Sequence, residues 1–251
     1  FSALWLVVVY APVAHWVWGG GWLADRGVAD FAGGLVVHAT AGVSALVFVL
    51  LMGKRKGFPS EMHPPHNPAY VMLGAAKLWV GWFGFTAGSA LGANGDAARA
   101  MIVTHISAAT ASFVWMLIEW VKYNKPTLVG IATGMVAGLA TITPAAGSVG
   151  PVGALIIGTL AALICYYAVT VIRGRLKIDD SLDVFAVHGV GGILGTLAIP
   201  FLASVGPMAP GLGETSMCDA FGGQALGVVS VSALSVIGSV VILFAVKTFI
   251  P

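Results

Sequence analysis

The sequence predicts an all-α membrane protein with several spans. Hydrophobic residues make up 58% of the 251 positions and charged residues only 9%, whereas a soluble domain holds about 25% charged. Mean hydropathy is +0.95. The apolar residues fall into runs of about 20, the length that crosses a bilayer as a helix. The 34 glycines suit helices that pack closely in lipid.

The elements follow from those runs. A partial span is expected at about 1–15, and fuller spans at about 30–52, 68–90, 98–120, 127–143, 151–172, 183–204 and 221–248. Pro126, Pro151 and Asp183 suit helix first turns, where a missing N–H is harmless and a negative charge is favoured. The longest polar connection, Gly53 to Asn67, holds Pro59, Pro64 and Pro65 and reads as a loop. The chain starts inside one apolar run and stops just after another, so a fragment of a longer protein is expected.

Loop charge orients the spans. Lys54, Arg55 and Lys56 follow the second span, Lys122 and Lys125 the fourth, and Arg173, Arg175 and Lys177 the sixth. These alternate loops are therefore cytoplasmic. The net charge of +2 gives no reason to expect a nucleic-acid partner. Of the two cysteines, Cys165 falls in an apolar run and Cys218 in a loop, so no disulfide is expected.

Two histidines stand inside apolar helices, in Asp30-Phe-Ala-Gly-Gly-Leu-Val-Val-His38 and Asp183-Val-Phe-Ala-Val-His188. An imidazole at lipid depth is costly and usually faces a partner or a pore. By loop charge the two helices run in opposite directions and place the rings at similar depth, as an inverted repeat would. One reading is two separate core histidines. The other is a neutral pair lining one path, sharing a hydrogen bond and passing a small neutral molecule or a proton. A metal held by two His and two Asp is disfavoured, because no His-x-x-x-His or Glu-x-x-His spacing occurs and the aspartates begin at opposite faces. Asp183 reads chiefly as a helix cap. Asp30, at the outer face, could also attract a cation.

Phe85 and Ser89, in Trp82-Phe-Gly-Phe85-Thr-Ala-Gly-Ser89, are four apart and share a helix face near the outer mouth. Trp18 lies near the same mouth. Such aromatics are usually interfacial anchors. With a hydroxyl acceptor they can also hold a small cation by cation–π attraction.

At these residues the sequence resembles the ammonium transporter family (Amt/Mep/Rh), and its Asp-Phe-Ala-Gly-Gly form is more like Amt than Rh. The matching segments are Ala-His-Trp-Val-Trp18-Gly-Gly-Gly and the three motifs above, in register over essentially the whole chain. The resemblance implies the ammonium-transporter fold: an inverted 5+5 helix repeat plus a final helix, with the chain starting in the fourth span and ending in the eleventh. The N-terminal part would then be absent. It implies a multi-pass protein of the cell membrane, a homotrimer with one pore per subunit, no cofactor and no catalytic residues. Trp18 and Ser89 would form the outer ammonium site, supported by Asp30. Phe85 would be one ring of a phenyl gate, and His38 and His188 the pore histidines, with Trp82 and Val184 in the pore wall. The implied function is ammonium transport, with NH4+ recruited outside and NH3 conducted past the histidines. The alternative is an Amt-like ammonium sensor domain of a signalling protein. A PII-type signal protein at the cytoplasmic face is an implied partner. Two positions depart from the family pattern. Thr86 replaces the usual Asn. Lys77 puts an ammonium group inside a span, where it would snorkel, pair with a carboxylate in the missing part, face a subunit interface or, facing the pore, repel NH4+. His15, His63, His66 and His105 read as structural or solvated.

Overall fold

The computed structural model describes residues 1–61 and 65–249. His63 lies outside the described residues. Among the described residues every regular element is helical. The helices are α1 (2–18), a short α2 (Trp22–Asp25), α3 (Gly34–Met52), α4 (Pro68–Gly88), α5 (Gly95–Tyr123), α6 (Leu128–Ala145), α7 (Pro151–Arg175), α8 (Val184–Leu202) and α9 (Met217–Phe249). Seven helical stretches are long and apolar enough to cross a membrane, with α1 and α2 counted together. The 21-residue α4 is long enough but less apolar, since it carries Lys77 and two indoles.

Local chemistry explains the starts. Asn67 caps α4 by accepting from the amides of Ala69 and Tyr70, and Asn94 caps α5 through Ala97. Pro151 opens α7 at the first helical position. The start expected at Pro126 falls two residues later, at Leu128. Thr127 is the cap of α6, accepting from Gly130 N while its own amide and hydroxyl donate to Glu119.

α3 and α8 are built to one plan. Each opens with a six-residue π-helical segment, Gly34–Ala39 or Val184–Gly189, and continues as 13 residues of α-helix, Thr40–Met52 or Val190–Leu202. Matching positions are 150 apart, as His38 and His188 are. The helices run antiparallel and cross reciprocally: the α-helical part of each packs on the π segment of the other. The crossing is backbone-close. A Cβ on Gly42 would collide with Gly189, and one on Gly192 would lie 2.8 Å from His38 Cβ.

This register corrects one sequence reading. The partner of Asp30 is Asp180, not Asp183. Asp30 accepts from the amides of Gly33, Gly34, Leu35 and Val36 at 2.6–3.0 Å. Asp180 accepts from Val184 at 2.8 Å and Ala186 at 3.0 Å. Asp183 stands where Gly33 stands in the first copy, and both are left-handed, at φ 54° and 113°. In that conformation the Asp183 side chain turns away from the helix start and meets Arg173 at 3.2 Å.

Contacts tie neighbouring segments together at each end of the helices. At the basic end, Arg55 grips Asp179 through its amide, Nε and Nη2 at 2.7–2.9 Å. The hydrogen bonds from Arg55 hold the Asp179 carboxyl below its ordinary value. At the opposite end, Gln224 of α9 clasps both backbone groups of Ala29, donating at 2.8 Å and accepting at 3.0 Å. Cys165 is buried, Cys218 exposed, and both are free.

Candidate functional site

The π segments carry the two histidines to the crossing of α3 and α8. His38 Nδ1 lies 3.1 Å from His188 Nδ1, within direct hydrogen-bond reach. Between the two sequence readings, isolated core residues or a touching pair, the distance decides for the pair. A π turn adds a residue to the helical ring and displaces side chains from the usual 3.6-residue spacing, and such turns recur at functional sites.

α4 supplies the neighbours. The Trp82 indole stacks on His38, with centroids 5.4 Å apart and planes 8° from parallel. Phe85 stands edge-on to both, 6.1 Å from His38 and 5.4 Å from Trp82. Ser89, one turn outward, donates to Phe85 O at 2.9 Å, which leaves its oxygen free to accept. Trp18 donates to the carbonyl of Asp30 at 2.7 Å, and its ring remains exposed. Asp30 thus anchors Trp18 by its carbonyl and α3 by its carboxylate. Thr86 is fully buried, bonded to Trp82 O and to Thr104 Oγ1.

Thr143 is a residue that sequence reasoning missed. It belongs to the 3-10 turn that ends α6. Its hydroxyl donates to Leu139 O at 2.7 Å and accepts from Trp82 Nε1 at 2.9 Å. His38 Nε2 lies 3.3 Å from the same oxygen. A hydroxyl has one proton, and the shortest contact takes it. His38 therefore donates through Nε2, and its Nδ1 accepts. His188 must then donate through Nδ1, leaving its own Nε2 with a free lone pair. The tautomers follow from this heavy-atom network. The only available signals were a buried Thr-Pro pair and the need of any buried imidazole for a second partner.

Two cavities meet at the pair. One, of about 500 Å³, is lined by Val37, His38, Gly74, Lys77, Leu78, Gly81, Trp82 and Phe85. The other, of about 370 Å³, reaches His188 and shares Gly74 and Leu78 with the first. Beside His188 the wall comes from Leu182 and Val187. Val184 is half-buried at the first π position and does not line this cavity. Both are open grooves with mainly apolar linings, and the imidazole pair lies where they adjoin. Among the described residues no three His, Cys, Asp or Glu side chains come together as a metal would need.

Comparison with known proteins gives one answer. The sequence model of the Ammonium Transporter Family matches residues 1–251. The ammonium transporter Amt1 of Archaeoglobus fulgidus is 54% identical over 203 residues, covering 81% of this chain and 51% of the relative. The ammonium transporter of Aquifex aeolicus is 53% identical over 197 residues, 78% of this chain and 46% of the relative. The chain thus spans about half the length of these relatives. Among solved structures, Candida albicans Mep2 superposes with a TM-score of 0.88 at 37% identity, covering 96% of this chain and 56% of that one. A structure described as a sensor Amt protein gives 0.88 at 32% identity, covering 98% and 64%. With the helices, the inverted copies and the histidine pair in place, this multi-pass membrane chain belongs to the ammonium transporter family.

Proposed function

We propose that the protein moves ammonium nitrogen across a cell membrane by recruiting NH4+ outside and conducting NH3 past His38 and His188. The observation that carries this reading is the 3.1 Å contact between the two imidazoles where the cavities meet. Trp18 offers an aromatic face to a cation, and Ser89 an oxygen that accepts N–H. Asp30 supports this outer site by fixing Trp18. Phe85 lies between Ser89 and His38 along α4 and acts as a gate. Beyond it the lining is apolar apart from His38 and Lys77, and in apolar surroundings an isolated cation costs several kcal/mol but neutral ammonia only needs its hydrogen bonds replaced. Trp82 belongs to that wall, whereas Val184 lines neither cavity. The free Nε2 of His188 accepts from ammonia. The proton left behind returns outside or is relayed through the pair, and the charge moved per ammonia distinguishes these routes. By family pattern the protein works as a homotrimer, with a PII-type signal protein as cytoplasmic partner.

The test is ammonium uptake and ammonium-evoked current in proteoliposomes holding the full-length protein. Uptake is expected, with selectivity or rate altered in His38→Ala and His188→Ala while the fold persists. Absence of both uptake and current sinks the reading. A second reading, an ammonium sensor domain, is supported by the likeness to the sensor Amt protein. The higher identity to transporters favours the first. A kinase or cyclase domain following this chain, together with absent flux, would favour the second.

A further inference from the structure

The two π turns are held in different ways. In an α-helix each carbonyl accepts from the amide four residues on, and a π turn moves that partner to the fifth. Carbonyls at the return to α geometry are therefore less well served by the backbone. At the first turn Thr40 makes up the difference: its buried hydroxyl donates to Val36 O at 2.7 Å and to Val37 O at 2.9 Å. The matching position in the second copy is Val190, which has a methyl group where Thr40 has that hydroxyl. There a donor arrives from another helix. Cys165 of α7 is fully buried, and its Sγ lies 4.0 Å from Val187 O, a thiol being a weak donor of long reach. Val187 is the counterpart of Val37 and directly precedes His188. The Thr141 hydroxyl stands near the thiol over Gly191 but has no hydrogen-bond partner among the described residues.

We propose that Cys165 is a positioning residue for His188, its thiol holding from α7 the carbonyl that the Thr40 hydroxyl holds from within α3. Its consequence for flux rests on the transport reading above. The Val187 carbonyl belongs to the peptide that leads into His188, so fixing the plane of that peptide fixes where the imidazole starts. The pair has little latitude. Its Nδ1 atoms are bonded at 3.1 Å and would lose that bond beyond about 3.5 Å. A weak S–H donor acts gently, so its loss loosens the second π turn without unfolding it. Val190→Thr would supply the second copy with the hydroxyl that the first copy uses, in a side chain of nearly the same shape.

The experiment uses the full-length protein and has two readouts. The infrared S–H stretch falls in an otherwise clear spectral region, and the band lost in Cys165→Ala is that of Cys165. A frequency lowered by hydrogen bonding is expected, and a free-thiol frequency overturns the proposal. Ammonium uptake in proteoliposomes is then compared for Cys165→Ala, Cys165→Val, Val190→Thr and the double variant Cys165→Ala with Val190→Thr. Uptake is expected to fall about threefold in both Cys165 variants, to stay unchanged in Val190→Thr alone and to recover in the double variant. Unchanged uptake in the folded Cys165 variants overturns the proposal. So does a loss that Val190→Thr leaves in place, which would mark the thiol as packing alone. If Cys165→Ala does not fold, Cys165→Val fills the space without a donor and carries both comparisons, with Val190→Thr added to it. Absence of uptake in the unaltered protein would instead defeat the transport reading itself, and the S–H band would still judge the contact.

Discussion

At the scale of the residue, the protonation pattern of the pair hangs on one hydroxyl. Thr143 accepts from both Trp82 and His38, so removing its oxygen strands two buried donors. Each stranded group costs about 1–3 kcal/mol. Thr143→Val is therefore expected to destabilise the protein and slow ammonia flux by about tenfold or more. Thr143→Ser keeps the oxygen and is expected to restore both melting temperature and rate. Equal rates for Val and Ser in folded protein would remove Thr143 from this role. The sequence made the two histidines legible because an imidazole in an apolar run is conspicuous. Thr143, 105 positions from His38, was hidden because threonine is ordinary in membrane helices and its value lies in what it meets. The same limit explains Asp183. Proximity in sequence suggested it as the cap, but its left-handed backbone aims it at Arg173 and leaves the work to Asp180.

At the scale of the element, the site exists because two helices touch at glycine. Gly42 meets the backbone of Gly189, and Gly192 meets Gly34 and His38. Gly42→Ala is expected to force α3 and α8 apart, at an overpacking cost of about 1–3 kcal/mol. The two Nδ1 atoms should then separate beyond about 3.5 Å, the limit of a useful hydrogen bond. A melting curve and a crystal structure of the variant check both effects, and an unshifted pair would show that the crossing yields elsewhere. Helix existence was legible from apolar length. The π segments were not, because hydrophobic runs without a polar face carry no record of the helical period. The match between the copies was visible only as two motifs, and the coordinates extend it to whole elements 150 positions apart.

At the scale of the whole molecule, the basic loops are tied together as well as charged. Arg55 and Asp179 link the end of α3 to the approach of α8, so the two copies are stitched at the end that carries the basic loops. Since the Asp179 carboxyl is held below its ordinary value, its contribution is present at neutral pH. It disappears as the pH falls through the folded value. Asp179→Asn is expected to lower the melting temperature at pH 7, and the gap from the unaltered protein should narrow only as the pH falls below the ordinary carboxylate range. A gap independent of pH would mean the side chain acts by shape and not by charge. The inverted pair of helices carries a further consequence. From one end the order of groups is Asp30, a π turn and His38, and from the other it is Asp180, a π turn and His188. The crossing of α3 and α8 thus presents the same order of groups toward either end. On the proposed transport reading the crossing itself sets no direction, and the gradient decides whether nitrogen enters or leaves.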